Sequence, residues 1–192
     1  MLRFELVDAE TAPQGSIETI KAVEAAYGFL PNLIATLGNA PAAARAYAAV
    51  SGAFESSSLS PIEQQVVLLT TSVENECHYC VAAHTAVAKM VGAPEGVAEA
   101  LRAGRSLDDP RLEALRALTL SIVQNRGWVS EPEVRAFIDA GFSKAQVLEV
   151  VTGVTQKTLS NYVNHIAETP LDDNFAPFAW DAGRQPATLG AS

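Results

Sequence analysis

The chain of 192 residues is long enough to form one domain with a sizeable buried core. Hydrophobic residues make up 48% of it and charged residues 18%, which indicates a folded globular protein and excludes an intrinsically disordered one. The net charge is −9 and the lysines and arginines are scattered, so we expect no nucleic-acid partner.

The N-terminal residues carry acids early and lack the apolar segment of a secretory signal. The longest apolar run, residues 66–73, is too short to cross a bilayer, so we expect a cytoplasmic protein with no membrane partner. In a reducing compartment, a close cysteine pair is typical of catalytic, redox-sensing or metal-binding sites. The high apolar share also favours burial of surface between subunits of an oligomer.

Helical periodicity dominates the sequence, and no strand pattern of any length is present. Four helices are predicted before the cysteines. The last of them has a strong start signal, since Ser60 is a natural N-cap, Pro61 takes the first helical position and Glu63 completes a capping box. The four cover residues 16–27 (ending at Gly28), 32–39, 41–56 and 61–73.

The predicted cysteine helix covers residues 76–91, with Asn75 as its N-cap. Four further helices are predicted over residues 94–104, 108–127, 130–141 and from 143 to about 168. The tail, residues 170–192, is expected to be extended, with Phe175, Phe178 and Trp180 docked on the core or on another subunit. The fold class is therefore all-α, a single domain over residues 1–192.

Both cysteines and two of the three histidines lie in the stretch NECHYCVAAHTAV, residues 75–87. On a helix, Cys77 and Cys80 are three residues apart and His84 follows four residues later, so the three side chains share one face. The positive end of a helix favours thiolate over thiol, and an imidazole one turn away can move a proton. Such a dithiol can attack an electrophilic oxygen or sulfur and then close a disulfide.

Two other interpretations of the pair stay open at this point. The cysteines could pack as small apolar side chains. They could also form half of a zinc site, although His84 and the two thiols on one helical face do not easily surround a metal, and only His78 and the distant His165 could add ligands. We therefore predict no metal site and no cofactor. Asn161, Asn164 and His165 on the last helix either line a pocket or make helix–helix hydrogen bonds.

The segment LSPIEQQVVLLTTSVENECHYCVAAHTAVAKMVG, with its C-x-Y-C-x-x-x-H core, resembles the alkyl hydroperoxidase D (AhpD)-like, peroxidase-related branch of the carboxymuconolactone decarboxylase superfamily. The resemblance extends over about residues 25–178. It implies an all-helical bundle assembled as a homo-trimer or homo-hexamer. It also implies a thiol peroxidase in which Cys80 attacks a hydroperoxide, Cys77 resolves it and His84 belongs to the proton relay. A thiol or lipoyl-type partner would then reduce the disulfide.

The sequence departs from this pattern at one position. The family relay uses a glutamate twelve residues before the first cysteine, where this chain has Gln65, which cannot carry a proton in the same way. Glu63 points to nearly the opposite side of the helix and is assigned to the capping box. Of the acids close to the cysteines, Glu74 and Glu76, we take Glu74 as the candidate relay carboxylate.

These observations favour a thiol-dependent hydroperoxide reductase with Cys80, Cys77, His84 and Glu74 as its catalytic residues. One alternative is a non-redox enzyme of the carboxymuconolactone decarboxylase type, although those members generally lack the C-x-x-C pair. Another is a non-catalytic redox sensor whose disulfide changes the packing at a subunit interface.

Overall fold

The computed structural model describes residues 4–181, and within that range the chain forms nine α-helices and no strand, as the sequence predicts. The helices are α1 (Ile17–Tyr27), α2 (Asn32–Leu37), α3 (Pro41–Glu55), α4 (Pro61–Glu74), α5 (His78–Met90), α6 (Val97–Arg102), α7 (Pro110–Gln124), α8 (Glu131–Asp139) and α9 (Lys144–Ala167). None of the helices in this range is long and apolar enough to cross a membrane.

Helix α4 is the centre of the bundle, because it packs against α5, α6, α7 and α9 and residues 65–72 are all buried. Its start follows the sequence prediction. Ser60 and Glu63 form a reciprocal capping box, and Pro61 occupies the first helical turn. The Glu63 carboxylate also accepts a 2.8 Å hydrogen bond from Arg111 on α7. Glu63 therefore stabilises the start of α4, as the sequence predicts.

The predicted start of the cysteine helix is wrong by two residues. Asn75 does not cap α5 but ends α4, and Glu76 takes a left-handed conformation with φ 54°. The amide of Cys77 then donates to the carbonyl of Ser72, and that of Glu76 to the carbonyl of Val73, which is the Schellman pattern of a helix end. This turn reverses the chain, so α5 begins at His78 with Cys77 as its N-cap.

Helix α9 packs very closely against α3 and α4 at Gly153. A β-carbon placed there would lie 2.7 Å from the ring of Phe54 and 2.8 Å from the Val67 side chain. The absence of a side chain lets the backbone of α9 approach α3 and α4. This close contact determines which residues of the following turns of α9 meet α4 and α5. Those turns carry the polar side chains of the site described below.

The C-terminal segment docks on the helices, as predicted for Phe175, Phe178 and Trp180. Phe175 is buried, and the Arg102 guanidinium donates to the carbonyls of Phe178 and Ala179. The segment is not wholly extended, because residues 176–178 form one turn of 3-10 helix. Residues 182–192 of the predicted tail lie outside the described residues.

The close approach at Gly153 predicts a specific cost. Gly153→Ala should lower the free energy of unfolding by roughly 1–3 kcal/mol, because overpacking at Phe54 and Val67 outweighs the better helix propensity of alanine. Gly52→Ala is the matched control. It lies within α3 with no atom near the added carbon, and it should leave stability unchanged or raise it by up to about 1 kcal/mol. Urea denaturation measures both, and equal effects would contradict the packing argument.

Candidate active site

The two cysteines lie at the N-terminus of α5, with Cys77 at the N-cap and Cys80 three residues on. These two positions face each other, as they do in a capping box, so the turn places the thiols side by side. Both are free thiols and both are 1% exposed. The helix terminus therefore supplies a positive electrostatic environment to a pair that is nearly removed from water.

One face of α9 lines this pair with polar groups. Lys157, Ser160, Asn161 and Asn164 are spaced by three, four and seven residues, and all four side chains are buried. The Asn164 amide nitrogen lies 3.2 Å from the Cys80 sulfur and 3.7 Å from that of Cys77, and the Ser160 hydroxyl lies 3.7 Å from Cys80. Asn161 accepts a hydrogen bond from Asn75. Of the two roles left open by the sequence, Asn161 takes the hydrogen-bonding one, whereas Asn164 contacts the thiols and neither asparagine lines the cavity described below.

His84 joins Gln65 on α4 to Lys157 on α9. Its Nδ1 lies 3.0 Å from Oε1 of Gln65, and its Nε2 lies 2.6 Å from Nζ of Lys157. The amide oxygen only accepts and an ammonium only donates, so this pairing fixes the neutral tautomer with the proton on Nδ1. Desolvation, together with the positive charge of Lys157, lowers the pKa of His84 well below its ordinary value, which agrees with a neutral ring.

The two thiols differ in acidity. Burial alone would raise the pKa of Cys80, but the hydrogen bond from Cys77, the positive charge of Lys157 and the hydrogen bonds of Ser160 and Asn161 lower it from 9.0 to about 5. The hydrogen bond to Cys80 raises the pKa of Cys77, and burial raises it further. These opposite shifts favour a Cys80 thiolate that accepts a hydrogen bond from the Cys77 thiol.

A cavity of about 300 Å³ opens onto this cluster. Its reactive end is formed by Cys80, His84, Gln65 and Lys157, whereas Cys77 does not line it. Most of its wall is apolar or aromatic and is contributed by Val23, Tyr27, Leu33, Ile34, Tyr47, Phe54, Leu68 and Phe175. A small apolar molecule in this cavity would therefore meet Cys80 before Cys77.

Tyr79 anchors the C-terminal segment beside the cavity. Its hydroxyl donates to the Asp172 carboxylate and accepts from the amide of Leu33, and its ring packs edge-to-face on Phe175. Asp172 also accepts from the amide of Asn32. Tyr79 is thus a packing and anchoring residue that holds Phe175 in the cavity wall.

The structure brings together Cys77, Cys80 and His84, but it leaves Glu74 outside the cluster. Glu74 is exposed on the last turn of α4 and does not line the cavity. His78 is exposed and contacts Trp180 rather than the thiols. Among residues 4–181 there is no group of three or more histidine, cysteine, aspartate or glutamate side chains that could hold a metal ion, so the zinc alternative has no ligand set there.

Sequence reasoning missed Lys157. The available signal was its spacing with Ser160, Asn161 and Asn164, which places a lysine on a polar face of α9. That face points to the interior of the bundle, whereas the opposite face carries the exposed side chains of Leu148, Tyr162 and Ile166.

The comparisons with known proteins agree with this architecture. Residues 41–119, which include both cysteines and His84, match the model of the carboxymuconolactone decarboxylase family. None of the curated proteins is similar enough to match the chain.

Three solved structures share the fold. The first is an uncharacterized peroxidase-related protein from Ralstonia eutropha JMP134, described as an alkylhydroperoxidase AhpD core; it is 24% identical over 90% of this chain and 93% of that chain, with a TM-score of 0.80. A peroxidase-related protein from Silicibacter sp. TM1040 is 17% identical over 91% and 92%, with a TM-score of 0.76. The debrominase Bmp8, as a cysteine-to-alanine variant with 2,3,4-tribromopyrrole, is 14% identical over 93% and 95%, with a TM-score of 0.77. At these identities the likeness shows a common fold.

The hydrogen bond between Gln65 and His84 predicts the effect of restoring a carboxylate. Gln65→Glu should raise the pKa of His84, because an anionic acceptor at Nδ1 favours the imidazolium form. The measurement is an NMR titration of the histidine rings, in which the other two histidines, His78 and His165, act as internal controls. A His84 titration unchanged from the wild type would contradict the assigned contact.

Proposed function

We propose that the chain is a thiol-dependent hydroperoxide reductase of the AhpD-like branch of the carboxymuconolactone decarboxylase superfamily. The observation that carries the proposal is the asymmetry of the two thiols. Cys80 lines the cavity and has the lowered pKa, whereas Cys77 lies behind it with a raised pKa. A dithiol enzyme needs this division, since one sulfur attacks as a thiolate and the other resolves the product.

In the proposed reaction the Cys80 thiolate attacks the terminal oxygen of a hydroperoxide. The O–O bond breaks, the sulfur becomes a sulfenic acid, and the departing alkoxide takes a proton and leaves as an alcohol. The Cys77 sulfur then attacks the Cys80 sulfur and displaces water, with the thiol proton leaving on the departing hydroxide. The product is a Cys77–Cys80 disulfide, and a dithiol reductant returns two electrons and two protons to it.

His84 takes part by connecting Gln65 to Lys157 beside the thiolate. Since Glu74 lies outside this cluster, we assign no proton transfer to it and look for the proton donor among the groups that line the cavity. The apolar and aromatic wall favours a small uncharged organic hydroperoxide as the substrate. Because both sulfurs are buried, a slender thiol or lipoyl-type group fits the role of reductant better than a cysteine on a partner's surface.

Replacing each cysteine separates the two roles. Cys80→Ser should abolish hydroperoxide consumption, because the attacking sulfur is gone. Cys77→Ser should consume about one equivalent and then stop at a sulfenic, over-oxidised or mixed-disulfide form. The measurement is hydroperoxide loss together with the intact mass of the reduced protein before and after one equivalent of oxidant. The wild type should lose two hydrogens and both free thiols.

The other functions give different results in the same experiment. Two unchanged thiols in the wild type would contradict the proposal and favour a non-redox activity of the superfamily. A disulfide that forms once but never turns over with dithiothreitol would favour a redox sensor. Wild-type consumption by both variants would rule out the mechanism.

The lowered pKa of Cys80 predicts a pH profile. The thiolate is present above a pH of about 5 and is lost as pH falls through that value, so the rate of a single turnover should be flat near neutrality. Below pH 5 it should fall about tenfold per unit of pH. Stopped-flow oxidation of the reduced protein, with thiolate absorbance recorded alongside, measures this. A rate that still rises from pH 7 to pH 9 would show an ordinary thiol instead.

A further inference from the structure

Lys157 is only 1% exposed, although its side chain ends in an ammonium group. None of the three ion pairs found in residues 4–181 includes it, and its hydrogen bond there goes to the neutral His84. A buried cation without an opposite charge is strongly unfavourable, so its surroundings must supply an anion.

The titratable groups that face Lys157 are few. They are Cys77 at the N-cap of α5, Cys80 and His84 within α5, Tyr47 on α3 and Tyr27 on α1, and the exposed side chain of Glu55 at the end of α3 lines the same cavity. Of these, Cys80 is the group with a lowered pKa, so its thiolate is the anion that balances the ammonium group. Burial is the largest effect and lowers the pKa of Lys157, but the charges of Cys80, Tyr47, Cys77 and Tyr27 together outweigh it and raise the pKa above its ordinary value.

The cavity places this ammonium group where a substrate would react. Lys157 lines the cavity together with Cys80, and His84 accepts one of its three N–H donors, which fixes the position of the nitrogen. Gln65 holds the His84 ring from the other side, so the imidazole has no free nitrogen with which to serve the substrate. Lys157 is then the cationic proton donor of the cavity wall, and the charge of Cys80 acts on it.

We propose that Lys157 is the general acid of hydroperoxide cleavage: it donates a proton to the departing alkoxide and is left as a neutral amine. The inference rests on the proposed hydroperoxide reductase activity. The step balances, since a Cys80 thiolate, a Lys157 ammonium and one hydroperoxide give a Cys80 sulfenic acid, a Lys157 amine and one alcohol. When Cys77 closes the disulfide and water leaves, Lys157 stays neutral because its anion no longer exists. Reduction then returns two electrons and two protons, one of them to Lys157.

The charge of Lys157 should therefore follow the redox state of the thiols, and NMR of lysine side chains measures this directly. The chain has four lysines, and the other three, Lys21, Lys89 and Lys144, are exposed. At pH 7 the Lys157 signal should be that of an ammonium group in the reduced protein and of an amine in the disulfide form. The disulfide is prepared with diamide, so the test needs no hydroperoxide chemistry. An ammonium group in both forms would overturn the proposal.

Two substitutions of Lys157 distinguish its role as a proton donor from the effect of its positive charge. Lys157→Met removes both, so the pKa of Cys80 should rise towards that of an ordinary thiol and oxidation by tert-butyl hydroperoxide should slow by roughly a hundredfold or more. Lys157→Arg keeps the charge but cannot give up a proton at neutral pH, so it should retain the thiolate absorbance and still react slowly. Lys144→Met, at an exposed position on the same helix, is the control and should react as the wild type does.

The leaving group supplies the sharpest test. Peracetic acid expels acetate, which needs no proton, whereas tert-butyl hydroperoxide expels a strongly basic alkoxide. Lys157→Arg should therefore react with peracetic acid at close to the wild-type rate and be slow only with the alkyl hydroperoxide. An equal loss with both oxidants, or no loss with either, would overturn the role of Lys157 as an acid.

These results separate the inference from the proposed function. A wild type that forms its disulfide with diamide, changes the charge of Lys157 and yet consumes no hydroperoxide would contradict both the reductase activity and the acid role, while the coupling of charge to redox state would stand. A Lys157→Met protein that folds and turns over at the wild-type rate would overturn the inference and leave the reductase activity in place.

Discussion

The 2.6 Å contact between the ammonium group of Lys157 and Nε2 of His84 is the interaction on which the proposed chemistry of this protein depends. It places a positive charge in a site that is largely removed from water, where a charge is tolerated only beside an opposite one. In the proposed mechanism that opposite charge is the Cys80 thiolate, whose charge acts on Lys157. The Cys80 thiolate and the Lys157 ammonium group therefore stabilise each other as the partners of a salt bridge do. The difference is that the thiolate loses its negative charge when it is oxidised.

The positive charge lies on a different group from the one that carries it in a carboxylate–histidine pair. A glutamate in place of Gln65 would favour a positively charged imidazole, whereas the amide keeps His84 neutral and turns its Nε2 towards Lys157. The positive charge thus moves from the ring to the neighbouring ammonium group. With glutamine at this position, the proposed proton donor of the cavity wall is the lysine that α9 supplies.

The helix packing explains how a lysine reaches this position. Gly153 lets α9 approach α3 and α4 so closely that the polar face following it meets the N-terminus of α5. The Schellman turn at Glu76 sets the other side of the site, because it ends α4 and places Cys77 at the N-cap instead of inside the helix. With this placement Cys80 lines the cavity and Cys77 does not, and the hydrogen bond between the two thiols shifts their pKa values in opposite directions.

The sequence by itself determined the all-α class, most helix ends and the proximity of Cys77, Cys80 and His84, since capping, periodicity and short spacings act within a few residues. It also identified Gln65 as the departure from the family pattern. It did not determine where α5 begins, because the turn depends on how α4 ends. The sequence also did not show that Lys157 lies beside His84, which is 73 positions earlier in the chain. That proximity depends on how α9 crosses α4 and α5, which only the packing of the whole bundle decides.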